Sequence, residues 1–554
     1  MVYRIHSSET GSGMSTPYED GDPNAKLLVL GQAPAANEMR QRAPLVGPAG
    51  EVFRECLGLA GITRRDCYIL NIWEAPVHTD LKGDIYSGRG GSALWTKKGF
   101  TEYGLEQASQ TLERLRRSGA NCILTLGQQA LELCTGKSDR IMKWRGSPLE
   151  GLPRIDGKKL IPTVHPAATI HGVYLWRYLI ISDMIKARLE AATPTLTLPR
   201  REIAIRPTLA EALNFLRTCR RSERVATDLE VVNHQISCFS LCTRPDEGMT
   251  IPLTDERGPY WDEDDEVLIW REYAKLMYDP RVMKINQNLV GFDAVFMFMQ
   301  NHIRVRGSIG DTMIAQHILY PEFNKGLDFI ASMHTREPYW KDEGKMWKNE
   351  GGDFPQFWRY CGKDSCVALE AWDVLSAELT ARGMWQTYND TVALMDPLIY
   401  MTLDGLAIDR DKLEATKLEI EGKIADLETE LNEAADYPFN PGSSAQCAKY
   451  FYEHKGLPAY RNATGGITTD DKAMSRIFRK TQLREAKLVQ EIRGFRKLKG
   501  TYLDVEMDKD GRLRCSWNPR GTWTGRLSSS QTILGTGTNL QNLDPRFKSF
   551  IVAD

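Results

Sequence analysis

From Ala25 onward the apolar positions come in short blocks, and the spacing within the blocks alternates between two kinds. LLVL at 27–30 predicts a strand that runs into a Gly/Pro turn and then a helix-like stretch at 49–60. YILNI at 68–72 predicts a second strand, followed by a long amphipathic helix around 104–118. CILTL (122–126) and LIPTV (160–164) add two strands, and a helix near 174–190 closes the unit, which spans 25–188. Strands alternating with helices predict a parallel or mixed sheet covered on both faces. Residues 1–24, rich in Ser, Gly, Asp and Pro, read as a flexible tail. Residues 191–202 lack apolar periodicity and carry two prolines, so 189–206 reads as a linker. A second α/β unit follows over 207–378. Long helical patterns at 385–402, 411–435 and 484–500, a polar turn-rich insert and a short β-rich tail occupy 379–554. The fold class is multidomain α/β with a mostly helical last part, as 554 residues require more than one core.

Composition narrows the setting more than the function. Apolar residues are 42% and charged residues 26% of the chain, an ordinary globular balance. No apolar run approaches a membrane span and the first residues have no apolar signal core, so neither a membrane partner nor secretion is expected. The 11 cysteines are scattered singly without a CxxC pair, which fits free thiols in a reducing compartment such as the cytoplasm. A formal net charge of −2 leaves nucleic acid open, because binding follows local charge.

The densest chemistry lies in the second unit. RVATDLEVV (224–232) reads as a strand, and strand alternation puts Asp228 and Glu230 on one face. Two inward acids on an apolar strand call for a partner, and a divalent cation is the usual one. INQNLVGFDAVFM (285–297) places Asp293 at the start of an apolar helix, five residues after Asn288, and SIGDTMIAQHIL (308–319) supplies Asp311. In FWRYCGKDSCVALEAWDVL (357–375), Tyr360 and Asp364 stand one helical turn apart. Taken singly, Asp-x-Glu is most often a solvated strand edge and Tyr-x-x-x-Asp a surface pair. The ordered set within one α/β unit is the specific signal.

That set resembles the DEDD-type proofreading exonucleases of the DnaQ-like, ribonuclease H-like fold, in the tyrosine-bearing subclass. The resemblance implies that Asp228, Glu230, Asp293 and Asp364 hold two Mg²⁺ or Mn²⁺ ions. It also implies that Tyr360 orients the attacking water and that Asn288 and Asp311 support the site. Hydrolysis of a phosphodiester suits such a set, since two cations about 4 Å apart activate water and clamp both reacting oxygens.

Residues 25–188 resemble the uracil-DNA glycosylase superfamily, nearest its family 4 and 5 members, with an α/β/α fold. The carriers are VLGQAPAANEMRQRAPLVGPAGEVF (29–53), YILNIWEAP (68–76) and LIPTVHPAATI (160–170). The resemblance implies a base pocket at Gln32, Asn71 and His165, where an amide reads a flipped base and an imidazole stabilises charge. Leu45 stands where many members keep an aromatic stacker, and Ala33 where an acid or amide can direct water. The cysteines that hold an iron–sulfur cluster in family 4 are missing, with Ala75 at one such place, so no iron–sulfur cluster is expected. Base excision stands beside a domain that only binds DNA or packs structurally.

After 380 the chain resembles the body of a family A DNA polymerase, phage-like in its fusion to a glycosylase-like domain. MDPLIYMTLDGLAIDRDKL (395–413) matches its entry segment, and FNPGSSAQCAKYFYEHKGL (439–457), GGITTDDKAM (465–474) and EIRGFRKLKGTYL (491–503) match its thumb. TWTGRLSSS (522–530) with TNLQNL (538–543) matches the start of its palm. The resemblance implies that Arg493, Arg496, Lys497 and Lys499 lie against duplex phosphates. It also implies that Arg526, Ser528, Ser529 and Gln541 contact primer–template near the insertion site. RFKSFIVAD (546–554) precedes the first catalytic Asp strand in that family, so Asp554 is not expected to be catalytic and the palm is expected to be incomplete. The expected function is that of the N-terminal part of a replicative family A DNA polymerase with its own two-metal 3′→5′ exonuclease. Its expected partners are primer–template, single-stranded DNA and a C-terminal polymerase fragment. The alternatives are a non-catalytic scaffold half of a split polymerase, or a uracil-DNA glycosylase.

Overall fold

A computed structural model describes residues 16–344, 347, 352–462 and 465–553. Residues 1–15 of the expected tail, and Asp554, lie outside the described residues. The chain divides into two compact units, Met1–Gln287 with Arg304–Trp385, and Asn288–Ile303 with Gln386–Asp554.

The first unit holds two six-stranded sheets. The first contains β1 (Glu19–Asp20), β2 (Leu27–Gly31), β3 (Cys67–Asn71), β4 (Cys122–Leu126), β5 (Leu149–Glu150) and β6 (Lys159–Thr163), in the order β1-β3-β2-β4-β6-β5. The four central strands are parallel and the two edges antiparallel. Strand parity divides the core into two. Leu27, Val29, Ile69 and Leu124 join one buried cluster with Phe53 and Leu57 of helix α1 (Pro48–Leu59) and Ile180 and Met184 of helix α2 (Trp176–Glu190). Leu28, Leu30, Leu70 and Ile123 join the other, with Leu115, Leu131 and Leu133. Apolar residues on both faces of a central strand are what a sheet covered on both sides requires. All parallel strands end at the same edge, so Gln32, Asn71, Gly127 and His165 gather there.

The second sheet contains β7 (Glu202–Ala204), β8 (Arg224–Val232), β9 (Gln235–Arg244), β10 (Glu247–Pro252), β11 (Met283–Asn286) and β12 (Ile309–Asp311), in the order β7-β10-β9-β8-β11-β12. β8, β9 and β10 form an antiparallel meander, while β11 runs parallel to β8, and β12 to β11. Helix α3 (Thr312–Leu319), helix α4 (Leu327–His334) and the 28-residue helix α5 (Phe354–Ala381) complete this part.

The second unit is mostly helical, with helix α6 (Arg410–Ala434), helix α7 (Asp471–Thr481) and helix α8 (Arg484–Leu498). Its core includes Leu431, Phe439, Tyr450, Phe451, Ile477 and Ile492. Short strand pairs join Ala407–Ile408 to Ile551–Val552 and Ser516–Asn518 to Ser528–Ser530.

Three expectations are corrected. The described end of the tail is structured, because Glu19 and Asp20 pair with Leu70 and Ile69, and Tyr68 donates to Glu19. The stretch 189–206 is not wholly linker, since Glu202–Ala204 adds a parallel edge strand on β10. The helix expected at 104–118 is two helices, Glu102–Gln107 and Ser109–Arg117. Gly104 explains the tight packing of the first, as a Cβ there would stand 1.8 Å from the Leu94 carbonyl oxygen.

Candidate active site

Strand β8 carries the first two acids. Asp228 pairs across the sheet with Ser240 and Glu230 with Cys238, and the register shifts just after Glu230. Asp228 is half-buried and Glu230 is buried. Helix α5 brings the third acid. The Thr250 hydroxyl donates to the Trp358 carbonyl at 2.7 Å and the Ser240 hydroxyl to the Cys361 carbonyl at 2.9 Å, which docks the helix on the sheet. Cys361 Sγ lies 3.8 Å from the Asp228 carbonyl oxygen, so the helix crosses β8 at the acidic pair. Gly362 permits this approach, as a Cβ there would stand 2.4 Å from Ile203 Cγ2. Among the described residues, Asp228, Glu230 and Asp364 then offer carboxylate oxygens that all lie within 4.8 Å of one another.

Tyr360, one turn before Asp364, is buried beside the cluster. Burial, and then Asp364, Glu230 and Asp228, drive its hydroxyl far above the usual phenol range, so it remains a neutral O–H. Gly344 lies flat on its ring, with room for no side chain: a Cβ would stand 2.6 Å from Tyr360 Cζ.

Two neighbours of the cluster carry no motif signal. The Trp340 indole N–H donates to Asp364 Oδ1 at 2.7 Å. Lys341 Nζ contacts Asp364 Oδ2 and lies 3.1 Å from Tyr360 Oη. Burial alone would lower the Lys341 pKa, but Asp364, Asp228 and Glu230 outweigh it and hold the ammonium above its ordinary range. Both residues come from 23 or 24 positions before Asp364, a separation that no local pattern reveals.

Asp293, Asn288 and Asp311 are not members of that triad. Asp293 opens the helix Asp293–Asn301 and is buried, within the second unit. Asn288 belongs to the same unit and adopts the left-handed conformation (φ 74°) before a short 3₁₀ turn. Asp311 caps α3, its Oδ1 accepting from the backbone N–H of Met313 at 2.9 Å and of Ile314 at 3.1 Å.

At the carboxyl edge of the first sheet, Asn71 is buried and Gly31 makes way for it, since a Cβ on Gly31 would stand 2.5 Å from Asn71 Oδ1. The Ala167 N–H donates to His165 Nδ1 at 3.2 Å, and burial lowers the imidazole to about 4, so the ring is neutral with its proton on Nε2. Gln32 is partly exposed, and its carbonyl accepts from the Trp73 N–H. Glu38, which sequence reading passed over, binds the loop before α1. Its carboxylate accepts from the N–H of Ala35, Val46 and Gly47 at 3.1, 3.2 and 2.9 Å. Leu45 on that loop is buried in the hydrophobic core, and Ala33 packs against the opposite core cluster.

In the second unit three of the cations expected to meet phosphates are engaged within the protein. Arg493 donates to the carbonyls of Pro441 (2.6 Å) and Thr469 and to Cys447 Sγ. Arg496 pairs with Glu428 at 2.8 Å and Lys499 with Asp504 at 2.7 Å. Lys497 and Arg526 are exposed. Ser529 donates to Asn539 Oδ1 at 2.8 Å and Gln541 to the Leu527 carbonyl at 2.9 Å, which ties the two palm-like motifs together, while Ser528 pairs with Asn518.

The sequence model of DNA polymerase family A matches residues 410–550, and that of the uracil DNA glycosylase superfamily matches residues 18–173. DNA polymerase I of Pseudomonas aeruginosa is 25% identical over 351 residues, covering 60% of this chain and 38% of that protein. The thermostable DNA polymerase I of Thermus aquaticus is 33% identical over 246 residues, covering 43% of this chain and 26% of that protein. The chain therefore spans well under two thirds of the length of these relatives. Among solved structures, the POL domain of Pol1 from M. smegmatis in complex with DNA primer-template and dNTP superimposes with a TM-score of 0.51 at 21% identity. That match covers 62% of this chain and 56% of the other, and it shows likeness of fold. The chain is family A DNA polymerase-like with a glycosylase-like part, and among its described residues no helix is long and apolar enough to cross a membrane.

Proposed function

We propose that this family A polymerase-like chain works on primer–template DNA and that its second sheet carries a Mg²⁺- or Mn²⁺-dependent 3′→5′ exonuclease acting in replication. The observation that carries this reading is the meeting of Asp228, Glu230 and Asp364 within 4.8 Å. Among the described residues the set is three carboxylates with no nitrogen or sulfur donor, a hard oxygen set that suits Mg²⁺ or Mn²⁺. Bound there, the cations supply an activated water and stabilise charge on the leaving 3′ oxygen. Asp228, Glu230 and Asp364 hold them. Tyr360 keeps its proton among the carboxylates and orients the water through its hydroxyl. The Trp340 N–H fixes one oxygen of Asp364 and so leaves the other to turn toward the cluster. Asp311 holds the start of α3.

In the second unit, Lys497, Arg526, Ser528 and Gln541 are the groups of choice for duplex contacts. Arg493, Arg496, Ser529 and Lys499 act indirectly, by shaping the surface that presents them. For the glycosylase-like domain the burial of Leu45 favours DNA binding or packing over excision, because nothing at that place supplies an aromatic face worth roughly 1–3 kcal/mol to a flipped base.

The test is digestion of a 5′-labelled primer–template with Mg²⁺ and no nucleotides, comparing wild type with Asp228→Ala/Glu230→Ala. A ladder shortened from the 3′ end, abolished in the double variant, is the expected result. Folded wild-type protein that leaves the primer intact overturns the reading.

A further inference from the structure

We infer that Lys341 is a tethered counter-ion of the acidic cluster, which a divalent cation must displace, and that the glycosylase-like domain holds it there. The inference rests on the exonuclease reading of the cluster. Lys341 follows α4, and its side chain is only 19% exposed. With Trp340 on Oδ1 and Lys341 on Oδ2, this short segment engages both oxygens of Asp364. An ion with two positive charges brought to the same carboxylates meets a fixed ammonium a few ångströms away, in a buried site that screens weakly. Lys341 therefore has to withdraw as the site loads.

Its neighbours make withdrawal difficult, because they are fastened to the first sheet's domain. Asp342 pairs with Lys143, and the Tyr339 ring meets Trp144 edge-on at 5.4 Å. The Tyr339 N–H donates to Ser147 Oγ at 3.3 Å, and Arg336 pairs with Glu190 at 2.7 Å. Residues 336–342 thus form a strap that touches the front domain at Arg336, Tyr339 and Asp342 and the second sheet's part at Glu337, which pairs with Arg201 at 2.8 Å and Lys363 at 2.9 Å, and at Lys341. The front domain sets how readily the cluster accepts its ions.

The test is Mn²⁺ binding by the full chain without DNA, followed by electron paramagnetic resonance, for wild type, Lys341→Met, Lys341→Arg, Lys143→Met and Asp364→Asn. Thermal melts establish that each variant is folded. Lys341→Met should bind roughly tenfold tighter than wild type. Lys341→Arg, which keeps the charge, should match wild type, and Lys143→Met should fall between. Equal or weaker binding by Lys341→Met overturns the inference, and a Lys143→Met variant identical to wild type overturns the tether. Loss of binding in Asp364→Asn keeps the exonuclease reading standing in either case. If neither wild type nor Lys341→Met binds Mn²⁺ at millimolar ion, that reading fails as well.

Discussion

Arg145 and Asp183 form a two-pronged pair with both side chains fully buried, Nε donating to Oδ2 at 2.9 Å and Nη2 to Oδ1. Thr163 donates to the same Oδ2 at 2.8 Å, and Arg145 Nη1 reaches Ser332 Oγ at 2.9 Å. The pair thus joins the glycosylase-like sheet, helix α2 and helix α4. Removing one partner leaves the other charge stranded in a dry site, which costs about 3–5 kcal/mol. Asp183→Ala should lose that much stability in urea melts, whereas Thr163→Val, which removes one neutral donor, should lose about 1 kcal/mol. Equal losses would contradict the assigned role of the guanidinium.

Two histidines predict how stability follows pH. Burial lowers His165 from 6.5 to about 4, against Glu38, and lowers His334 to about 4, with Lys186, Arg145 and Arg382 adding to the effect. Above pH 6.5 both rings are neutral in the folded and unfolded chain and contribute no slope. Between 6.5 and 4 the unfolded chain takes up the protons, so stability falls as pH falls through that window. The loss should reach roughly 2 kcal/mol for each ring at the acid end. Urea midpoints at pH 7.5 and 5 measure it, and His165→Asn should remove its share of the slope. A midpoint that does not move would refute the lowered pKa of both rings.

Gly50 lies in helix α1, where alanine is ordinarily the better residue. Here a Cβ would stand 2.1 Å from the Leu45 carbonyl oxygen, and Leu45 is already held at φ 51°. Gly50→Ala should therefore destabilise by about 1–3 kcal/mol, against the helix-propensity trend. A thermal melt with no loss would mean that the loop 42–47 relaxes freely.

What was legible in the sequence was what depends on local period. The unbroken apolar run at 27–30 marked a strand covered on both faces, and alternation along 224–232 set the joint placement of Asp228 and Glu230. One helical turn was enough to bring Tyr360 to the side of Asp364. Contacts made by coil were not legible. Trp340 and Lys341 stand in a segment with no period, and they reach the cluster through a strap anchored on both domains. The same holds for Leu45, whose place in the core follows from a left-handed turn secured by Glu38 and not from any apolar stripe. Glu19 and Asp20 were hidden for a similar reason, since a two-residue edge strand in a polar stretch has too few positions to show alternation.

Tyr360 leads to a kinetic prediction. Its hydroxyl stays protonated far beyond pH 10 because burial and three carboxylates all oppose the phenolate. In the proposed exonuclease reaction that neutral hydroxyl is the group that positions water. Tyr360→Phe should lower the single-turnover rate roughly 10²-fold, while Mn²⁺ binding stays at the wild-type value. If the variant instead lost Mn²⁺, the hydroxyl would be holding the carboxylates and not the water.

Arg493 and Lys497 sit four residues apart on helix α8 and should separate cleanly. Arg493 donates to carbonyls of two loops, Pro441 and Thr469. Arg493→Ala should destabilise the second unit by about 1–3 kcal/mol, the penalty of leaving those groups unsatisfied. Lys497 is exposed, so Lys497→Ala should leave the melting temperature unchanged. If it meets a phosphate, the same substitution should weaken primer–template binding to every sequence alike and lower the slope of log affinity against log salt by about 1. Fluorescence anisotropy across a salt series measures both quantities. An unchanged slope would remove Lys497 from the DNA surface, and an Arg493→Ala variant of full stability with a reduced slope would restore the arginine to it.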